Sequence, residues 1–376
     1  MLDVSKIYDC LVKNGVDFFA GVPDSLLKNF CAYITDNVPT DKHIISANEG
    51  AAVGLAAGHY MATSKIPVVY MQNSGLGNAV NPILSLADEK VYSIPMLIMI
   101  GWRGEPNVKD EPQHIKQGLV TLELLDAMQI PYVVLSKDET EATLQVTDIM
   151  EKMRKTSSPV AIVIRKDTFA KYKLKKISTN EYPISREDAM KMVVDSLSDA
   201  DIVVSTTGKL SRELFEYREE KNQGHGRDFL TVGSMGHSSS IALGIALEKP
   251  NRNVYCFDGD GAFIMHTGAI TNIGKLAPRN YRHIVFNNSA HESVGGQPTL
   301  AFDIDIPLIA RAAGYKEAIS VENKEQLDSA LNYISSVKGP VLLEIKVKVS
   351  SRDDLGRPTT TPIENKKNFM EFLKDK

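Results

Sequence analysis

Twice along this chain, short runs of apolar and β-branched residues alternate with helix-length amphipathic segments, and few folds can accommodate that pattern. In the first half the runs are Phe18 to Val22, HIIS from His43, PVVYM from Pro67, PMLIMI from Pro95, YVVLS from Tyr132 and VAIVI from Val160. In the second half they are DIVVSTT from Asp201, DFLTVG from Asp228, NVYCFDG from Asn253, YRHIVFNN from Tyr281, YKEAISV from Tyr315 and VLLEIKV from Val341. A strand that is apolar on both faces belongs inside a parallel sheet covered on both sides by helices. The spacing therefore predicts an α/β protein of two doubly wound parallel-sheet domains. Between the halves, Lys166 to Arg186 (KDTFAKYKLKKISTNEYPISR) follows neither period, carries a run of lysines and contains Pro183. Domains are expected over 1–175 and 186–376, with a linker over 176–185 and a less regular tail from Ser350.

With 376 residues the chain can bury two cores of ordinary size. The formal net charge is −4, so no overall positive field draws in nucleic acid or an anionic membrane, and an anionic substrate needs a local basic site. Cys10, Cys31 and Cys256 are far apart and odd in number, which argues against a disulfide framework and against a CxxC metal site. No apolar block near Met1 suits a signal peptide, and no run approaches the ~20 residues of a membrane span. A cytoplasmic protein is expected.

The chemistry concentrates in Cys256-Phe257-Asp258-Gly259-Asp260-Gly261-Ala262, followed after 25 residues beyond Gly261 by Asn287-Asn288. A carboxylate at the end of one parallel strand and a carboxamide at the end of the next can meet at the sheet edge where α/β folds bind ligands. Both offer oxygen to a hard cation such as Mg²⁺, which fills its remaining positions with phosphate, carbonyl and water oxygens. Gly259 and Gly261 allow close approach of backbone to a phosphate group at the start of the next helix. In the first half, Asn48-Glu49-Gly50-Ala51-Ala52 opens a small-residue helix, where Glu49 alone reads as a charge suited to a helix N-terminus.

The GDG…NN pattern in this context resembles the diphosphate and metal motif of thiamine diphosphate (ThDP) enzymes. The resemblance implies that Asp260, the Asn288 side chain and the Ala290 carbonyl hold Mg²⁺. It implies that Thr207, Gly208, Gly233, Met235, Gly259, Gly261 and Ala262 line the cofactor, with Met235 as the apolar wedge beneath it, although Met235 also suits an ordinary core position. It further implies that Glu49 is the carboxyl group that activates the aminopyrimidine ring, beside the Gly-rich turn Gln72-Asn73-Ser74-Gly75-Leu76-Gly77-Asn78, with Gly75 at the cofactor.

The order of the two domains, the absence of a middle domain and Gly21-Val22-Pro23-Asp24-Ser25-Leu26-Leu27-Lys28 together resemble the ThDP-dependent decarboxylases of phosphonopyruvate and sulfopyruvate, over nearly the whole chain. That resemblance implies conversion of 3-phosphonopyruvate to phosphonoacetaldehyde and CO₂, in phosphonate biosynthesis. It also implies a homo-oligomer with active sites at subunit interfaces, built from a pyrimidine-binding domain and a diphosphate-binding domain. Asp24 falls at the end of the first strand and can be a helix cap or a proton donor, and Ser25 a cap or a substrate contact. The loop from Trp102 to His114 follows another strand. It supplies Arg103 and Lys109 as candidate phosphonate contacts and His114 as a candidate acid, a lid that would close over a dianion; Lys209 and Arg212 are weaker candidates. Sulfopyruvate decarboxylation is the nearest competing activity. A carboligase, which usually carries the missing middle domain, and a protein that binds ThDP without turnover compete as well. A nicotinamide oxidoreductase is disfavoured because no strand is followed by GxGxxG with an acidic residue ~20 residues on.

Overall fold

The computed structural model describes residues 1–176 and 180–374. The expected linker over 176–185 is only partly covered, because 177–179 lie outside the described residues. The chain divides into two compact units, Met1–Ile177 with Ser293–Gln297, and Ser178–Glu292 with Pro298–Lys376.

The first unit runs α1 (Val4–Lys13), β1 (Val16–Gly21), α2 (Lys28–Asn37), β2 (His43–Ile45), α3 (Glu49–Thr63), β3 (Ile66–Gln72), α4 (Leu76–Pro82), β4 (Leu97–Gly101), α5 (Pro112–Ala127), β5 (Tyr132–Val134), α6 (Glu139–Thr156) and β6 (Val160–Ile164). The six strands form one parallel sheet in the order β2-β1-β3-β4-β6-β5. Alternate residues of a strand face opposite sides, so each central strand feeds two cores. Val68 and Tyr70 join Leu97, Met99 and Ile162 on one face, while Val69 and Met71 join Ile98, Ile100 and Val163 on the other. Side-chain caps fix where the helices start. Asp3 accepts from Ser5 N–H at 2.9 Å, Asn48 from Ala51 N–H at 2.9 Å and Asp138 from Glu141 N–H at 3.0 Å.

The second unit runs α7 (Arg186–Asp195), β7 (Ile202–Ser205), α8 (Lys209–Glu220), β8 (Asp228–Leu230), α9 (Ser238–Glu248), β9 (Val254–Gly259), α10 (Asp260–Met265), α11 (Ala269–Leu276), β10 (Tyr281–Asn287), α12 (Ile306–Ala312), β11 (Glu317–Val321), α13 (Lys324–Ser336), β12 (Val341–Lys346) and α14 (Pro362–Lys374). Its parallel sheet has the order β11-β12-β10-β9-β7-β8. Tyr255, Phe257, Ile284, Phe286 and Leu343 fill one side, and Ile202, Val204, Cys256, Val285 and Leu342 the other.

The tail from Ser350 is more regular than its sequence suggests. Its helix α14 packs beside edge strand β8, where the Asn365 carboxamide accepts from Leu230 N–H (3.1 Å) and donates to the Asp228 carbonyl (2.9 Å), as a neighbouring strand would. Beneath it the fully buried Arg218 of α8 holds the Asp228 carboxylate through two bonds of 2.9 and 3.0 Å. Among the described residues, no helix is long and apolar enough to cross a membrane.

Both strand orders have a switch point, where successive connections leave in opposite directions and the loops splay into a crevice. In the first sheet it lies between β1 and β3, and in the second between β7 and β9.

Candidate active site

At the first switch point, Asp24 follows β1 and Gln72 ends β3. Gln72 Nε2 donates to Asp24 Oδ1 at 2.6 Å, and Asp24 Oδ2 accepts from Leu26 N–H (2.5 Å) and Leu27 N–H (3.2 Å). Asp24 thus organises the turn that leads into α2, while the helix itself starts after Leu27 without a side-chain cap. It is fully buried, and burial raises its carboxyl above the ordinary carboxylate range against the pull of these donors and of Arg103. Gly101, at the end of β4, makes room for it: a Cβ there would sit 2.5 Å from Asp24 Oδ2.

Glu49 opens α3 and is 5% exposed. Asn78 Nδ2 donates to its Oε2 at 2.8 Å. The Gly-rich turn bears on the same side chain, because a Cβ on Gly75 would lie 2.4 Å from Glu49 Oε1. The two sequence segments singled out in this half therefore form one feature, a buried carboxylate seated on a glycine.

The loop after β4 is organised by an interaction that its sequence did not announce. Asp110 accepts from Arg103 Nε at 2.8 Å, from Arg103 Nη2, from Gly104 N–H (2.8 Å) and from Glu111 N–H (2.8 Å), which cinches the loop at its base. Arg103 Nη1 donates to Ser25 Oγ at 2.8 Å, and Asn73 Nδ2 donates to the Arg103 carbonyl at 2.8 Å. Three of the five guanidinium N–H groups are thereby committed, so Arg103 is not the free cation its sequence suggested. The signal available was an opposite charge seven residues away in the same loop. Lys109 is exposed. Burial, together with the nearby Arg103, lowers His114 to about 4. At neutral pH it is an uncharged ring and not a basic contact for an anion.

In the second unit, Thr206, Thr207 and Gly208 follow β7, and Gly259 and Asp260 end β9 and begin α10 across the switch point. Gly208 has φ 102° and opens the 12-residue helix α8 without a side-chain cap, leaving backbone N–H groups for an anion. The hydroxyls of Thr206 and Ser238 are buried without a protein partner. Gly233 and Met235 lie in the turn before α9. The Met235 methyl is 3.3 Å from where a Cβ on Gly261 would be, so this side chain rests against the GDG turn. Backbone donors at the start of α8, buried hydroxyls and Met235 against the GDG turn are the groups that a diphosphate joined to a flat heterocycle calls for. Lys209 is engaged with Ser351.

Asp260 is 5% exposed and accepts from Thr299 Oγ1. Burial pushes its carboxyl up to about 6, opposed by Thr299, backbone donors and Arg186. A buried carboxylate raised in this way lacks a counter-charge, which a cation supplies. On the adjacent strand β10, in register Phe286 to Gly259, Asn287 and Asn288 divide the work. Asn287 is fully buried and donates to Glu344 at 2.6 Å as part of the core. Asn288 lies at the edge, where its Oδ1 accepts from Ala290 N–H at 3.0 Å and its Nδ2 donates to Glu292 at 3.1 Å. The Ala290 carbonyl accepts from Glu292 N–H at 2.8 Å and keeps a second lone pair. Asp260, Asn288 and the Ala290 carbonyl thus each offer oxygen, the donor type that Mg²⁺ takes. Cys256, Asp258 and His283 also cluster, but inside the core: His283 is bonded to Asp258 (3.3 Å) and to Tyr315 (3.1 Å), and all three are buried.

Comparison with known proteins identifies the family. Residues 4–130 match the model for the N-terminal TPP binding domain of thiamine pyrophosphate enzymes, and residues 206–345 match the model for the C-terminal TPP binding domain. Phosphonopyruvate decarboxylase of Streptomyces viridochromogenes is 30% identical over 394 residues, covering 99% of this chain and 95% of that protein. Sulfopyruvate decarboxylase of Methanosarcina acetivorans is 28% identical, covering 98% and 97%. The beta subunit of sulfopyruvate decarboxylase of Methanococcus maripaludis is 31% identical over 191 residues, covering 51% of this chain and 98% of that subunit, so a separate polypeptide there spans half of this one. With both TPP-binding domains in one chain and a relative at 30% identity along almost its whole length, the chain belongs to the thiamine diphosphate-dependent decarboxylases of the phosphonopyruvate and sulfopyruvate type.

Proposed function

We propose that the protein decarboxylates 3-phosphonopyruvate to phosphonoacetaldehyde and CO₂, using ThDP and Mg²⁺, in the biosynthesis of phosphonates. One observation carries the reading beyond the family. The Ser25 hydroxyl and the Arg103 guanidinium stand together beside the buried Asp24, so a hydroxyl and a partly committed cation flank one carboxyl group at the first switch point. Such a pair suits a tetrahedral anion carried two bonds from a ketone. Lys109 on the exposed part of the loop adds charge from the open side.

Asp260, Asn288 and the Ala290 carbonyl would hold the cation, while Thr207, Gly208, Gly233, Gly259, Gly261 and Ala262 would face the diphosphate and Met235 the thiazolium ring. When bound, ThDP supplies the nucleophilic carbon and the electron sink for loss of CO₂. Glu49, fixed by Asn78 and seated on Gly75, would hold a proton at the aminopyrimidine ring of the cofactor. Asp24, its carboxyl raised by burial, is the candidate proton donor beside the anion contacts, whereas His114, uncharged at neutral pH, has no acidic proton to give. Apolar residues remain exposed in the first unit, Met61 at 64% and Tyr92 at 68% among them, along with Leu55 of α3 and Leu119 of α5. We assign these surfaces to contact with a second copy of the chain, in keeping with the family's sites shared between subunits.

The test is CO₂ release from phosphonopyruvate, sulfopyruvate and pyruvate, each with and without ThDP and Mg²⁺. Preference for phosphonopyruvate, dependent on both additions, is the expected result. Preference for sulfopyruvate would transfer the assignment to the sulfonate, and no release from any acid would end it. Mixing inactive Glu49→Gln and Asp260→Ala chains should restore activity through hybrid sites; no recovery would refute the shared-site assembly.

A further inference from the structure

Asn288 is one link in a largely buried chain of charge that begins at the first residue of α7. Arg186, 8% exposed, donates through Nε and Nη2 to the two oxygens of Glu213 at 2.8 and 2.6 Å. Glu213, on α8, is 1% exposed. The remaining arm of Arg186, Nη1, reaches Glu292 Oε2 at 2.6 Å, and the same oxygen accepts from Asn288 Nδ2 at 3.1 Å. Glu213 thus holds Arg186, Arg186 holds Glu292, and Glu292 holds Asn288.

The chemistry of that last contact fixes an orientation. An ionised carboxylate only accepts hydrogen bonds, so the group of Asn288 that meets Glu292 must be its NH₂. Its oxygen is then directed away from Glu292, where Ala290 N–H uses one lone pair and the other is left for a ligand. Without the carboxylate, only the bond from Ala290 N–H holds the amide against turning over and presenting N–H groups to a cation, which repel it. The charges agree with this arrangement. Asp260, Glu213 and Glu292 against Arg186 leave two uncompensated negative charges before any diphosphate binds, with Glu292 partly exposed and the other three buried, a setting that favours a dication.

We infer that Glu292 is a positioning residue for the metal, setting the carboxamide of Asn288 oxygen-outward and completing the charge that selects a dication, with Arg186 and Glu213 as its buttress. The inference rests on Asp260 and Asn288 being the metal-holding edge. Outer-shell partners of this kind change metal affinity 10- to 100-fold when removed.

The experiment measures Mn²⁺ binding in the presence of ThDP, from the loss of the free-ion electron paramagnetic resonance signal, without reference to turnover. Glu292→Gln should weaken Mn²⁺ at least tenfold, since it keeps an acceptor oxygen facing Arg186 and Asn288 but removes a negative charge beside the metal edge. The double variant Glu292→Gln/Asn288→Asp should recover most of the affinity, because the carboxylate introduced at 288 restores the lost charge at the metal edge itself. A purely structural role would lower the urea midpoint of the apoprotein in both variants while leaving the Mn²⁺ constant unmoved. Binding by Glu292→Gln within about twofold of the parent, with Asp260→Asn impaired, overturns the inference and leaves the metal edge standing. Unimpaired binding by Asp260→Asn removes both. Should Glu292→Gln not fold, Glu292→Asp keeps the charge one methylene farther from Asn288 and must still bind Mn²⁺ more weakly for the inference to hold.

Discussion

Replacing Gly75 by alanine adds one methyl group and probes how closely the Glu49 carboxylate must be placed. Gly75 has φ −73° and ψ −15°, a conformation that alanine adopts without strain, so any effect comes from the new Cβ alone. That atom would stand 2.4 Å from Glu49 Oε1 and 2.6 Å from Cγ and Cδ, whereas ordinary contact begins at 3.4 Å. The glutamate must retreat by about 1 Å, and a misplacement of that size costs on the order of 100-fold in rate, or about 2.7 kcal/mol. If packing prevents the retreat, overpacking appears instead as a loss of about 1–3 kcal/mol in stability. Turnover at saturating ThDP and Mg²⁺, measured beside urea unfolding, separates the two. Gly54→Ala in α3 is the control, since nothing lies within 4 Å of a Cβ there. In a Glu49→Gln background the alanine should cost less than about twofold, because the group it displaces has already lost its function. Parental turnover and parental stability in Gly75→Ala, or losses that multiply in the double variant, would refute the argument.

Three further outcomes follow from other parts of the molecule. Asp260 has a folded-state pKa of about 6, above its ordinary value of 3.8, so between these limits the folded apoprotein holds more protons than the unfolded chain. Chelated protein should therefore lose stability as pH rises from about 4 to about 6. Metal affinity should fall about tenfold per unit as pH drops below about 6 and level off above it, as titration calorimetry across that range would show; a flat profile contradicts the assignment. Lys109→Ala, which breaks no contact within the described loop, should raise the KM for phosphonopyruvate several-fold and leave pyruvate unchanged, whereas equal loss of both acids would make the loop a general lid. Asp228→Asn strands the buried Arg218 and should lower unfolding stability by about 3–5 kcal/mol, with a loss under about 1 kcal/mol showing that the pair contributes little.

The strands were legible because a sheet buried on both faces leaves the same mark on every strand; VAIVI from Val160 and VLLEIKV from Val341 became β6 and β12 almost unchanged. Their lateral order was not, since pairing across a parallel sheet is set by crossovers that leave no local pattern. The same distinction divides the candidate site. Glu49, Gly75, Asp260 and Asn288 sit at strand ends and helix starts, where type and spacing are informative. The Asp110 clasp, the Gln72 bond to Asp24 and the Arg186–Glu292–Asn288 chain depend on contacts between side chains up to 106 residues apart. Charge composition gave Arg103 and Lys109 as anion contacts and His114 as an acid, yet Arg103 is paired with Asp110 and burial keeps His114 neutral, leaving Lys109 as the exposed cation among them.

The carboxamide that closes strand β8 is made long after the strand itself, since 137 residues separate Asp228 from Asn365. At the usual ~5–20 residues per second of synthesis, β8 waits roughly 7–27 s for its cover. During that interval the growing chain presents a bare strand edge to other nascent chains, the arrangement most prone to intermolecular pairing. Production of this protein should accordingly respond to chaperone supply and growth temperature, and truncation before Pro362 should shift the product toward insoluble material.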